Sequence, residues 1–281
     1  MLELFQYTFM QHAILAGFMV ACICPVIGIF LVVRRLALIG DGLGHISFAG
    51  VAAGWLWGVY PVYTAALFAV CGGIGIEMLR QKQRHYADMV LAVVFYTGIA
   101  LAIVFTSMVR SSGTNLLSYL FGSIVTVTAR DVTLIYGLGG GILLIIGLLY
   151  KELLYVSCDE DAARVNGLRV SCHNLLLVIL TAVTVSVAMR VVGILLVSAL
   201  MIVPVAAGLQ MGRSFAGTMG WAVFFAEVSV VAGLYASFYL DFAPGGAIVL
   251  TAVLLFLLVF LSKMVCAVLR PRVRKEAGLR V

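Results

Sequence analysis

The sequence predicts an all-α, polytopic integral membrane protein, a bundle of about eight to ten transmembrane helices by the length rule for membrane spans. Composition predicts it first. Only 11% of the 281 residues are charged while 64% are apolar or aromatic, where a soluble domain carries about 25% charged residues. So little polar surface cannot coat a water-soluble body of this size, and the mean hydropathy of +1.17 agrees. The apolar residues also fall in long uninterrupted runs rather than in short alternating strands. In hydrocarbon every backbone N–H and C=O must be bonded within its own segment, which selects helices, and a barrel would alternate with period two. A soluble enzyme, a nucleic-acid-binding domain and a disordered chain are thereby excluded.

Candidate spans fall at 13–33, 44–59, 60–79, 88–108, 132–150, 173–189, 191–211, 215–239 and 247–269, in a single domain over 1–281. The first follows a segment, Met1 to His12, with no Lys or Arg. It therefore lacks the basic leader of a secretory signal and is expected to stay as a span. Cys22 and Cys24, two positions apart, point to nearly opposite helix faces and read as small hydrophobes, not a chelating pair. Runs such as Gly72-Gly73-x-Gly75 and Gly139-Gly140-Gly141 permit close helix packing. The dipeptide Gly-Lys is absent, so the chain carries no P-loop ATPase of its own. The stretch 115–127 is too short to cross and is expected to be re-entrant or interfacial.

Orientation follows from charge. With nine spans and the N-terminus outside, all but three of the 18 Lys and Arg residues lie on the cytoplasmic side, the exceptions being Arg110, Arg130 and Arg190. The net charge of +6, concentrated in loops and in a basic cytoplasmic tail over 270–281, is the footprint of topology rather than of a nucleic-acid site.

Four features could carry chemistry. In Gly40-Asp41-Gly42-Leu43-Gly44-His45, a helix would place Asp41 and His45 one turn apart on one face. A carboxylate and an imidazole so placed can share a divalent cation such as zinc or manganese. The alternative is a pair simply solvated at a cytoplasmic helix end. The polar interlude 152–169 reads as a short amphipathic cytoplasmic helix, with Asp159, Glu160 and Asp161 at its N-terminus and Gly167 as its stop. It is either an ordinary loop helix or a docking element, and Cys158 and Cys172 beside it are expected to be reduced thiols. Pro204 breaks a backbone hydrogen bond inside a span, which suits a moving or pathway-lining segment. Glu227 is the acid deepest within a span and should face the interior, protonated or paired, with Asp241 following at the span end.

At these segments the chain resembles the permease subunits of ABC importers for zinc, manganese or ferrous iron, over nearly its whole length. The resemblance is carried by five blocks in order: Arg34-Arg35 through Gly40-Asp41 to His45, Tyr119-Leu120-Phe121-Gly122, Asp159 through Leu168, Val192 through Pro204, and Tyr239 through Leu250. It implies a permease of the ABC importer type that binds no cofactor itself and passes a divalent metal, most readily zinc or manganese, into the cytoplasm across a bacterial cell membrane. It implies that Asp41 and His45 are the intramembrane metal contacts. It also implies that the segment with Asp159, Glu160, Asp161, Ala162, Ala163 and Gly167 is a coupling helix docking on a separate cytoplasmic ATP-binding subunit. Glu227, Pro204 and Asp241 would belong to the pathway. An extracytoplasmic metal-binding protein and a second permease copy complete the implied partners. Gly42 and Gly44 stand where Ala and Ser are frequent in that family. The competing readings are a proton-coupled secondary metal carrier and an ABC permease for an iron chelate or cobalamin.

Overall fold

The computed structural model describes residues 7–82, 87–108, 114–123 and 125–269, and every regular element among them is an α-helix. In chain order these are α1 (Thr8–Val33), α2 (Ile39–Trp57), α3 (Pro61–Lys82), α4 (Ala87–Met108), α5 (Thr114–Phe121), α6 (Ala129–Leu148), α7 (Tyr150–Cys158), α8 (Glu160–Val165), α9 (Val170–Ala188), α10 (Ile194–Met211), α11 (Phe215–Leu240) and α12 (Pro244–Leu269). Eight of them, α1, α3, α4, α6 and α9 to α12, are long and apolar enough to cross a membrane. The ninth long helix, α2, has 19 residues but contains Asp41, His45 and five glycines, and these lower its apolar character. A bilayer would reject such a helix from its lipid face, so it has to be wrapped by others.

The packing does this. α2 lies against α3 and α4 on one side and α9 and α10 on the other, and Leu43, Ala49, Val51 and Ala52 on it are fully buried. α1 forms the second buried axis, among α6, α9, α10 and α11, with Ile23, Ile27 and Phe30 inaccessible. In the most apolar stretch of α1, 78% of residues are buried, against 11% in α12. Leu254, Leu258 and Leu261 accordingly point outward from α12, as a lipid-facing surface requires.

Because the long helices alternate in direction, described Lys and Arg residues separate to the two ends. Arg34, Arg35, Arg80, Lys82, Lys151, Arg164, Arg169, Arg213 and Lys263 lie toward one end, called here the basic end, and Arg130 and Arg190 at the other. The tail 270–281, with Arg84 and Arg110, lies outside the described residues.

Two expectations from the sequence are corrected. α2 begins at Ile39, not 44, because an acid is welcome in a first helical turn. The segment 152–169 is two helices, not one. Asp159 breaks it in an extended conformation and accepts hydrogen bonds from the amides of Asp161 and Ala162 at 3.1 and 2.9 Å. It is an N-cap, not part of an acidic first turn. α5, eight residues long, does not cross, and it is followed by Gly122. That residue and Gly193 both hold left-handed backbone, with φ of 76° and 87°. They back directly onto one another, so a side chain on either would strike the other's main chain.

Candidate functional site at the start of α2

α1 ends at Arg34, and Arg35 turns the chain with φ of 57°. The Leu36 amide then donates back to the Leu31 carbonyl at 2.8 Å, closing the helix end before α2 opens at Ile39. Asp41 lies in the first turn of α2 and His45 one turn later, about 6 Å further along the axis. Both are half-buried. The His45 ring meets Phe95 of α4 edge to face, with centroids 4.6 Å apart, which fixes the plane of the imidazole.

Asp41 opens into a cavity of about 280 Å³ between α2 and α4, lined also by Leu38, Leu91, Ala92, Phe95 and Tyr96. α4 can approach this closely because of Gly98. A Cβ there would stand 2.8 Å from the Ile46 nitrogen and 3.0 Å from the His45 carbonyl carbon. By contrast a Cβ at Gly42 would meet nothing within 4 Å. One carboxylate and one imidazole form a mixed oxygen and nitrogen donor set that suits zinc or manganese. Among the described residues no group of three or more His, Cys, Asp or Glu side chains comes together, and His45 reaches this cavity only through its contact with Phe95.

The other predicted residues lie elsewhere. Glu227 is half-buried at the middle of α11, where its Oε1 accepts from the Cys22 thiol at 3.1 Å. Its Oε2 is buried with no hydrogen-bond partner among the described residues. Cys24 is fully buried on the other face of α1, as the two-residue spacing requires. Pro204 is buried inside α10. Asp241 is exposed in the turn from α11 to α12, in left-handed backbone with φ of 53° that Asp tolerates better than most residues. This places it at the opposite end of the bundle from Asp41.

α8 lies at the basic end and packs on α7 and α9 through a small separate core of Val156, Ala163, Val170 and Leu168. Asn166 and Gly167 stop it, and the Leu168 amide returns to the Ala163 carbonyl at 3.1 Å. Asp161, Arg164 and Gly167 are exposed, Ala162 is half-buried, and the apolar Val165 is 87% exposed. Glu160 turns inward and pairs with Arg34. Burial alone would raise the pKa of Glu160, but the charge and hydrogen bond of Arg34, the Asn174 amide and the charge of Arg80 hold it below the usual carboxylate value.

Sequence reasoning missed the ionic cluster at the opposite end. Arg190 donates to both carboxylate oxygens of Asp131, at 3.1 and 2.7 Å, and to the Thr126 carbonyl at 3.0 Å. Tyr60 donates to the same carboxylate, and Thr128 closes a capping box with Asp131 at the start of α6. Burial, followed by the hydrogen bond and charge of Asp131, pushes the Tyr60 hydroxyl up to about 12. The signal that could have found half of this was Thr128-x-x-Asp131, the capping-box pattern at a span start.

Fold and site together define a multi-pass helical membrane protein with an ionisable pair, Asp41 and His45, on a long helix that is not among the eight most apolar ones. Residues 6–263 match the ABC 3 transport family, and the chain belongs to that family of ABC transporter permeases. It is 35% identical over 259 residues to the manganese transport system membrane protein MntC of Listeria monocytogenes, covering 92% of each chain. It is 29% identical to the high-affinity zinc uptake system membrane protein ZnuB of Haemophilus influenzae, over 88% of this chain and 94% of that one. Among solved structures, PsaBC from Streptococcus pneumoniae in complex with Fab superposes with a TM-score of 0.84 at 29% identity, covering 92% of each chain.

Proposed function

We propose that this chain is the membrane pathway for a divalent transition-metal ion, zinc or manganese, imported into a bacterial cytoplasm at the expense of ATP hydrolysed by a separate subunit. The observation that carries the proposal is the Asp41 and His45 pair on α2. A membrane protein holds an acid and an imidazole within its bundle at a cost, and such residues mark the route of a substrate. The named cargoes of the relatives, manganese and zinc, are ions that this donor set accepts. Manganese favours oxygen and zinc takes either, so the pair alone selects the class rather than the ion.

Two donors are half of the four or more that such an ion takes. A second copy related by a two-fold axis brings the same pair to the same place, because a two-fold interface presents one surface to itself. The basic end is assigned to the cytoplasm by its Lys and Arg excess. There the exposed face of α8, with Asp161, Ala162, Val165 and Gly167, docks on the ATP-binding subunit, and a metal-loaded binding protein delivers the ion at the opposite end. Pro204 in α10 and Glu227 in α11 lie on helices that pack around α1, and Asp241 marks the entry end of the path.

The test is uptake of zinc and of manganese into proteoliposomes containing the chain, its ATPase and its binding protein, repeated with Asp41→Asn and His45→Ala. Uptake that needs ATP and collapses in both variants, with the complex still assembled, supports the reading and identifies the ion. Uptake indifferent to ATP would make the protein a secondary carrier. ATP-driven uptake untouched by either substitution would move the metal site away from α2.

A further inference from the structure

We propose that Arg34 is a positioning residue that ties α8 to the first turn of α2, so that movement of α8 is delivered to Asp41 through one guanidinium. The proposal rests on the reading that α8 docks on an ATPase subunit, and it adds the route by which docking reaches the metal pair. The tie is a closed triangle. Arg34 donates to Glu160 of α8 and, at 2.6 Å, to Oδ1 of Asn174 in α9, while the Asn174 amide donates to Glu160 at 3.1 Å. Among the described residues no other hydrogen bond or ion pair joins α8 to α1 or α2, because the rest of its packing is the small core shared with α7 and α9.

Arg34 is placed to pass on a displacement. Its side chain is 5% exposed, so water cannot substitute for a lost partner, and an unpaired buried guanidinium must move or be neutralised by another acid. The other acid whose charge acts on Arg34 is Glu77 of α3, already held by Arg80 at 3.0 Å and by Gln81 at 3.0 Å. The link from Arg34 to α2 is short and carries backbone hydrogen bonds at Arg35, Leu36 and Ile39. Arg35 donates to the Val32 carbonyl at 3.1 Å, Leu36 to Leu31 at 2.8 Å and Ile39 to Leu36 at 3.0 Å. Leu36, 7% exposed, is seated in the main core, and Leu38 after it lines the same cavity as Asp41. A corner with so little slack moves as a unit with the start of α2. Shifting it re-aims Asp41, one turn in, without breaking α1.

A buried triangle could also serve only to hold three helix ends together, and the two roles differ in one ratio. In proteoliposomes with ATPase and binding protein, Arg34→Gln and the milder Glu160→Gln are measured for complex assembly, ATP hydrolysis and metal uptake. The expected result is an assembled complex that still hydrolyses ATP while ions carried per ATP fall by about tenfold, within the range of a typical coupling free energy. The exchange Arg34→Glu with Glu160→Arg should recover part of that ratio. Hydrogen exchange supplies a reading independent of transport. Binding of a non-hydrolysable ATP analogue should alter exchange of the Gly40–Gly44 amides in the wild-type complex and leave them unaltered in Glu160→Gln. Uptake and hydrolysis falling in the same proportion, or an unchanged ratio, would overturn the proposal. Failure of the wild-type chain to assemble with any ATPase would instead overturn the functional reading beneath it.

Discussion

At the end opposite α8, Asp131 is fully buried and Arg190 is 11% exposed. Their two-point contact is reinforced by Tyr60, Thr128 and the Thr126 carbonyl, and Arg190 lies over the Tyr119 ring at 4.9 Å. At the basic end Arg34 is equally buried, but its partner Glu160 is 34% exposed and sits on a six-residue helix at the surface. The first cluster joins the α2–α3 turn, α5, the start of α6 and the α9–α10 turn with every acceptor used. The second joins one short surface helix to the corner before α2. The same chemistry thus has both charges sealed at one end, and at the other one of them within reach of water.

The contrast predicts unequal losses. Asp131→Ala strands the Arg190 guanidinium in a sealed site, which should cost about 3–5 kcal/mol, seen as a large fall in thermal midpoint of the detergent-solubilised protein. Replacing Asp131 and Arg190 together by methionines should recover most of that loss, since apolar residues of similar volume commonly replace a buried pair at little cost. If the double variant were as unstable as the single one, the cluster would matter for its shape and not for its charge.

Between the two ends, Gly98→Ala should cost about 1–3 kcal/mol by forcing α4 off the main chain of α2, and should depress metal uptake as well. Gly42→Ala, which meets open space, should leave stability nearly unchanged. Thr128→Ala removes the cap of α6 and should cost about 1 kcal/mol.

Glu160→Gln should cost little in stability, because its ion pair is partly solvated. It carries a sign. Because Glu160 in the folded protein is more acidic than an ordinary carboxyl near 4.3, its contribution is complete above that value and is lost as pH falls through the lower folded one. The difference in thermal midpoint between wild type and Glu160→Gln should therefore be present at neutral pH and vanish in acid. A difference that grew in acid would contradict the ion-pair account of this end.

The sequence made the bundle legible because the bilayer demands long apolar runs, and eight such runs stand where eight of the long helices among the described residues stand. It was less informative where polar residues set the boundary. The start of α2 lay hidden in a glycine-rich, charged stretch, and the break at Asp159 was disguised because an N-cap acid and a first-turn acid look alike in composition. Asp41 and His45 could be placed on one face by spacing alone. The Arg190 pair with Asp131, 59 positions apart, and the Cys22 contact with Glu227, 205 apart, depend on which helices meet. No local pattern encodes that.

The most direct test of the central claim is metal binding by the purified permease complex in nanodiscs, with zinc and manganese measured per chain and the ligand shell read by X-ray absorption. The account predicts about one ion per two chains in a shell of oxygen with imidazole nitrogen, lost in both Asp41→Asn and His45→Ala. An ion retained at full occupancy in those variants, or a shell containing sulfur, would contradict it.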